Sequence, residues 1–239
     1  MKRLLIITMI CVSAIAVSAQ HHLGLQLGFA QPITRLNAPE TKATLDPTPY
    51  NGFKIGMVYD ATFSYGLGVS LGFNYTFGAN NTDWVKQIIT QPVEYPKIRS
   101  KAQYHQLEIP IDLQYKFEIA KHTWIILYTG PTLQYGLTMK NSWYINTGKE
   151  IYRNIQEELY SQDDMEDYAL KHFNVTWGVG AGFQFQQFFL RGGYDFGLIN
   201  PYKANQFDYT EANGGNPRTR GRFDQWQIKL GMYLWQSRR

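Results

Sequence analysis

The sequence is poor in cysteine, in charge and in long apolar runs. Cys11 is the only cysteine among 239 residues, and charged residues make up 18% of the chain. A lone cysteine excludes a scaffold held by internal disulfides. After the first nineteen residues the longest aliphatic and aromatic run is Trp124 to Tyr128, which is too short for a transmembrane helix.

The first nineteen residues have the composition of a signal peptide. Two basic residues precede an apolar run over 4–16, which is too short for a membrane anchor, and Val-Ser-Ala follows it. We predict cleavage between Ala19 and Gln20, giving a signal peptide at 1–19 and a mature domain at 20–239. The mature chain then has no thiolate for a metal site. It keeps 21 of the 23 basic residues against 19 acidic ones, a balance that gives no reason to expect nucleic acid as a partner.

Alternation of apolar residues with small or polar ones is the dominant pattern. It is clearest in YGLGVSLGFNYTF at 65–77, where the period of two is that of a β-strand with two different faces. We assign Leu137 and Met139, in the fifth such segment, to an apolar face. The other segments with this pattern are 22–31, 52–60, 104–117, 123–139, 173–185, 188–198 and 226–234.

Short and long connections alternate between these eight segments. The long ones are 32–51, 78–103, 140–171 and 199–222, which places all long loops at one end, as in outer-membrane barrels. The interior of an eight-stranded barrel has room for small and polar side chains but not for the many large apolar ones. We therefore predict an all-β fold, an eight-stranded antiparallel up-and-down transmembrane β-barrel with its apolar face towards lipid. A soluble lipocalin-like barrel with the opposite polarity is the alternative.

Several stretches resemble the PorT-like outer-membrane β-barrel family of Gram-negative bacteria. They are QLEIPIDLQYKF at 106–117, LYTGPTLQYGL at 127–137, HFNVTWGVGAGFQF at 172–185, LRGGYDFGLIN at 190–200 and QIKLGMYLW at 227–235. The resemblance covers essentially the whole mature chain, and Leu-Glu-Ile-Pro at 107–110 with Tyr-Thr-Gly-Pro at 128–131 is its most specific part. It implies an integral protein of the cell outer membrane. One member of this family serves protein secretion, a role that the fold alone does not transfer.

Charged residues recur on the predicted inward face. Charges removed from bulk water must be paired, and three acids against four bases allow that pairing. We therefore predict a salt-bridged plug, and a translocation or proton path is the alternative. The predicted interior charge network is Lys54, Glu108, Asp112, Lys116, Arg191, Asp195 and Lys229.

No motif in the chain indicates an enzyme, a cofactor or a metal site. No histidine of the mature chain has a serine two residues away on its strand face, and GVGAG at 178–182 has no helix after it. We predict a non-enzymatic barrel whose extracellular loops bind a partner, as a secretion or surface-assembly accessory. A small pore or transporter and a lipid- or peptide-acting enzyme are the alternatives. Single substitutions at His105 or His172 would test the enzyme alternative. Outer-membrane lipid and another envelope protein are the expected partners.

The third long loop, 140–171, is the candidate partner surface. Thr147 stands three residues before Glu150, the spacing of a capping box. Apolar residues then recur every four positions, which predicts a short helix near 148–160 with one apolar face. A solvated, unstructured loop is the alternative. The apolar residues are Ile151, Ile155 and Leu159.

Overall fold

The structure is a computed structural model that describes residues 19–38, 43–49, 51–63, 65–81, 85–86, 97–146, 151–158, 171–201 and 220–237. These residues form eleven strands. The strands are β1 (Gln20–Ala38), β2 (Ala43–Pro49), β3 (Asn51–Thr62), β4 (Leu67–Asn81), β5 (Val85–Lys86), β6 (Lys97–Ala120), β7 (Thr123–Asn146), β8 (Ile151–Glu158), β9 (Phe173–Phe185), β10 (Phe188–Gly197) and β11 (Arg220–Gln236). No helix within the described ranges is long and apolar enough to cross a membrane.

Eight of the strands close into an antiparallel barrel. Their order around the barrel is β1, β3, β4, β6, β7, β9, β10 and β11, so that each strand pairs with the next barrel strand along the chain. The barrel closes where β11 pairs with β1, from His22 opposite Gln236 to Asn37 opposite Arg220. The predicted eight-stranded up-and-down barrel is therefore confirmed. Strands β2, β5 and β8 pair beyond the barrel with β1, β6 and β7.

The barrel has polar side chains inside and apolar side chains outside. In β3, Phe53 is 72% exposed and its neighbour Lys54 only 2% exposed. Leu27 of β1 is likewise 62% exposed, whereas Gln26 is buried. This is the polarity of a barrel in lipid, so the lipocalin-like alternative is wrong.

Three short turns lie at one end of the barrel, together with the start of β1 and the end of β11. They connect β3 to β4, β6 to β7 and β9 to β10. His122 and Gln186 adopt positive φ angles of 61° and 52°, and the amide of Gln186 donates to the carbonyl of His122 across two turns. Gly66 has a φ of 83°, a conformation that glycine adopts without steric cost. Short turns mark the periplasmic end of an outer-membrane barrel.

The strands are longer than the sequence pattern predicts. β6 and β7 contain 24 residues each and stay paired up to Lys97 and Asn146. They therefore include parts of 78–103 and 140–171, which were predicted to be loops. β1 similarly continues to Ala38 and pairs there with β2. Parts of the predicted loops are extensions of the sheet.

The predicted helix near 148–160 is wrong over residues 151–158, which form β8. Ile151 pairs with Asn146 and Glu158 with Lys140. A spacing of four is even, so it places residues on one face of a strand as well as on one face of a helix. An isolated helix of this length is marginal in water. As a strand, the segment forms backbone hydrogen bonds with the edge of β7. Leu159 lies outside the described residues.

One assignment in the fifth predicted segment is also wrong. Met139 is buried at 5% exposure and faces the interior, although the alternation placed it outside with Leu137. The β6–β7 register shifts between His105 and Gln106, which pair with Thr138 and Gly136. Leu137 is the extra residue of this bulge, and such an insertion reverses the inside–outside phase of everything that follows.

Candidate functional site

The charged barrel interior is the candidate site. Inward positions of β3, β6, β10 and β11 carry the seven charged residues predicted for it, and all seven are buried. Five of them belong to two hydrogen-bonded groups at different heights in the barrel. We call the group nearer the short turns the lower group and the other the upper group.

The lower group is centred on the carboxylate of Asp60, which the sequence analysis did not select. Arg191 Nη2 and Lys116 Nζ lie 2.6 Å and 2.9 Å from Oδ2 of Asp60. The hydroxyl of Tyr233 donates to the same oxygen. These four residues belong to β3, β10, β6 and β11, so the group joins opposite walls of the barrel. Two cations share one carboxylate.

Neutral side chains complete the lower group. Arg191 Nη1 donates to Ser70 Oγ at 2.9 Å and Arg191 Nη2 to Gln114 Oε1 at 3.2 Å. Lys116 Nζ donates to Gln184 Oε1 at 3.1 Å. A guanidinium has five N–H donors and an ammonium three, so the amide and hydroxyl acceptors take up donors that the single carboxylate does not reach.

The upper group contains a one-to-one ion pair. Lys54 Nζ lies 2.5 Å from Oε2 of Glu108 and donates to Gln227 Oε1 at 2.7 Å. Thr76 Oγ1 donates to Oε1 of Glu108 at 2.8 Å. Asp195 accepts from Gln227 Nε2 at 2.9 Å, so it is held by an amide and not by a direct ion pair.

Asp112 and Lys229 belong to neither group. Both are buried, yet within the described part of the chain no hydrogen bond or ion pair joins either side chain to another residue. Lys229 lies directly across from Arg191 in the β10–β11 register, and its Nζ is 5.8 Å from the centre of the Tyr128 ring. The structure therefore brings five of the seven predicted residues into hydrogen-bonded groups and leaves these two outside them.

The sequence analysis missed two buried acids, Asp60 and Asp224. Asp60 stands six residues after Lys54 on the same strand, and this even spacing could have placed it on the inward face. Asp224 lies at the loop end of β11, where it pairs with Arg222 at 3.0 Å and accepts from the amide of Gly197 at 3.0 Å. It precedes the alternating segment 226–234, so the pattern did not reach it.

Glycines on the inward face make room for the long side chains that cross the lumen. A Cβ at Gly178 would lie 2.6 Å from Oδ1 of Asp195, and one at Gly193 would lie 2.6 Å from the hydroxyl of Tyr128. Both distances are too short for a real contact, so these positions face large polar groups. The recurrence of glycine in the alternating segments thus has a packing cause.

A cavity lies at the periplasmic end of the barrel, next to the lower group. This cavity of about 680 Å³ opens at the mouth and is lined by His22 and Thr62 near the entrance. Lys116 and Gln184 also line it, and these two side chains belong to the lower group. Side chains of the lower group therefore form part of the cavity wall.

The other predicted site features have simple placements. Ala19 is buried, and β1 begins at Gln20; residues 1–18 lie outside the described chain, so cleavage between Ala19 and Gln20 stays a prediction. Ile151 and Ile155 lie in β8. The described residues contain no group of three or more histidine, cysteine or acidic side chains that could hold a metal ion.

Comparison with known proteins identifies a family. The family described as "Outer membrane protein beta-barrel domain" matches residues 17–202, which is more than half of the chain. No curated protein sequence matches the chain.

Several solved barrels are similar over nearly their whole length. Ail, the attachment invasion locus protein of Yersinia pestis, in complex with the heparin analogue sucrose octasulfate, is 11% identical with a TM-score of 0.40, covering 91% of this chain and 99% of its own. Neisserial surface protein A is 10% identical with a TM-score of 0.37, covering 89% and 97%. The N-terminal β-barrel domain of Pseudomonas aeruginosa OprF is 11% identical with a TM-score of 0.28, covering 87% and 97%.

Proposed function

This chain belongs to the outer membrane protein beta-barrel domain family, and we propose that it is a non-enzymatic, closed barrel that presents a binding surface outside the cell. It is an integral protein of the cell outer membrane. We infer further that it is a PorT-like member and an accessory of secretion or surface assembly. The Leu-Glu-Ile-Pro and Tyr-Thr-Gly-Pro stretches at 107–110 and 128–131 support this narrower assignment.

The length of β6 and β7 carries the proposal. A membrane-spanning strand needs roughly 9–11 residues, whereas these two strands have 24 residues each and are paired along their length. Starting from the short turn after Ala120, the loop-side part of each strand therefore extends beyond the lipid. β8 pairs with the far end of β7, from Lys140 to Asn146. The result is an antiparallel sheet that projects on the loop side of the barrel.

A projecting sheet suits partner binding better than an unstructured loop does. Backbone hydrogen bonds hold its side chains in place before a partner arrives, which lowers the entropy lost on association. We propose Ile151, Ile155 and Leu159 as part of the contact surface with another envelope protein. Apolar residues at exposed positions are the usual anchors of such contacts.

The paired charges of the interior favour a structural role for the barrel over a transport role. The lower group connects four strands across the lumen, and every charge in it has a partner of opposite sign. Such a group holds the barrel walls together. His105 is hydrogen-bonded to Tyr75, and His172 to the carbonyl of Gly136. We propose that the protein needs no cofactor.

Partner capture tests the proposal. Residues 144–153, which include the β7–β8 connection, are replaced by a two-residue Asn-Gly turn, which is suited to a short hairpin. The full chain and this variant are tagged, purified and used to recover proteins from detergent-solubilised outer membranes, with identification by mass spectrometry. We expect a protein recovered by the full chain to be lost with the variant.

A matched control distinguishes the projecting sheet from loops in general. Residues 36–45, at the β1–β2 connection, are replaced by the same turn, and we expect this variant to retain the partner. Both variants must show the slower gel migration on heating that marks a folded barrel. Equal recovery by all three proteins would mean that the β7–β8 sheet is not the binding surface. Ile151→Asp and Ile155→Asp then locate the contact within β8.

A further inference from the structure

Five basic side chains lie close together on the outer wall of the barrel at its loop-side edge. Lys140 and Lys171 are exposed there, and Lys101, His105 and His172 are half-buried. These five residues, which we call the cationic rim, lie on β6 and β7 and just before β9.

Strand register brings the cationic rim together. Lys140 pairs with Gln103, so Lys101 and His105 are its two diagonal neighbours on β6. Diagonal neighbours across antiparallel strands are within reach of long side chains. Met139 faces the interior, so Lys140 faces outwards. On the far side of β7, the amide of Gly136 donates to the carbonyl of His172 at 2.7 Å, which places His172 and Lys171 beside this strand.

A row of apolar and aromatic side chains lies directly below the rim. Leu107 pairs with Tyr75 on one side and with Tyr135 on the other, and Tyr135 pairs with Phe173. His105 is hydrogen-bonded to Tyr75, and the ring of His172 stacks on Tyr135 with 5.4 Å between the centroids. Tyrosines at this height mark the interface between hydrocarbon and head groups.

In the described part of the chain, the rim lysines outnumber the carboxylates that strand register pairs with them. Glu158 lies directly across from Lys140 in the β7–β8 register, and it is the one acid of the described residues paired with a rim lysine. Three lysines against one glutamate leave an excess of two positive charges, before either histidine is counted. Lys171 Nζ donates to the carbonyl of Asn200 at 3.3 Å, which is a neutral partner and leaves its charge in place.

We propose that the cationic rim binds the phosphate groups of a phosphorylated glycolipid in the outer leaflet, while its acyl chains lie against the row from Tyr75 to Phe173. The proposal requires only the outer-membrane location and does not depend on the β7–β8 partner surface. Lysine keeps its stem on apolar surface and extends its ammonium into the head-group layer. A phosphate placed there contacts several basic side chains at once, whereas an isolated surface lysine provides only one.

Binding of defined lipids to the full-length barrel tests this proposal. The mature protein is refolded in phosphatidylcholine nanodiscs, and bound diphosphorylated lipid A is counted by native mass spectrometry. Each lysine near an anionic membrane surface strengthens binding about five-fold. We expect the triple variant Lys101→Gln, Lys140→Gln and Lys171→Gln to bind lipid A on the order of a hundred-fold more weakly than the unchanged chain.

Controls separate the rim from charge in general and the glycolipid from other anions. Lys121→Gln removes an exposed lysine from a periplasmic turn and should leave binding within about two-fold, since it lies at the other end of the barrel. Equal binding of lipid A from which both phosphates have been removed would overturn the phosphate assignment. Phosphatidylglycerol bound as tightly as lipid A would overturn the choice of a glycolipid. An unchanged affinity of the triple variant would overturn the site.

Discussion

The two charged groups inside the barrel neutralise their charges in different ways. In the lower group, Arg191, Lys116 and the hydroxyl of Tyr233 all converge on one oxygen of Asp60. In the upper group, the oxygens of Glu108 are divided, with Lys54 on Oε2 and neutral donors on Oε1. In the lower group, three side chains depend on one carboxylate oxygen for hydrogen bonding and for neutralisation of charge. In the upper group, these roles are distributed over several acceptor atoms.

This difference teaches where the barrel depends on a single residue. Loss of Asp60 would leave two buried cations without a counter-charge, at a height where four strands meet. Loss of Glu108 would leave one cation, Lys54, which keeps the amide oxygen of Gln227 as an acceptor. An uncompensated buried charge costs far more than a lost hydrogen bond between neutral groups.

The largest expected effect is that of Asp60→Asn. It leaves Arg191 and Lys116 buried together without an anion, and we expect the free energy of unfolding to fall by about 3–5 kcal/mol. The measurement is urea unfolding in phospholipid vesicles, followed by tryptophan fluorescence.

The matched control for Asp60→Asn is Asp112→Asn. It removes the same charge from a buried inward position, but the Asp112 side chain has no hydrogen bond to lose within the described residues, so we expect a change below about 1 kcal/mol. Equal losses for the two variants would show that total interior charge, and not the shared carboxylate, governs stability.

A smaller effect is expected at the upper group. Glu108→Gln keeps an acceptor near Lys54 but removes its counter-charge, and we expect a loss of about 1–3 kcal/mol in the same unfolding assay. The double variant Lys54→Met with Glu108→Leu removes both charges together. Because replacing a whole buried ion pair by apolar residues is often neutral, it should be more stable than Glu108→Gln alone. A double variant less stable than the single one would mean that the ion pair itself stabilises the barrel.

The sequence could predict these groups only in part, and the reasons are physical. Alternation assigns residues to the inside or the outside because strand side chains have a period of two, and it identified Lys54 and Arg191. It carries no information on which inward residues meet across the lumen, since that depends on strand stagger.

Alternation also needs a lipid-facing side. Beyond the membrane no face of β6 or β7 is turned to lipid, so the apolar signal disappears and the pattern indicates loops where the strands continue. The bulge at Leu137 changed the phase without a residue type that marks it.

The smallest expected effect concerns ions. Arg191 links β10 to Asp60 of β3 and to Gln114 of β6, so Arg191→Ala removes the longest side chain that crosses the lower group. In planar bilayers we expect no steady conductance from the unchanged protein, since an eight-stranded lumen is filled by its own side chains. Arg191→Ala should show brief, small openings, because Lys116, Tyr233 and the glutamines still occupy most of the cross-section.

The control variant Lys54→Ala should show no openings, since the lower group is intact. A steady conductance of the unchanged protein would contradict the closed barrel, and openings in Lys54→Ala but not in Arg191→Ala would place the constriction at the upper group.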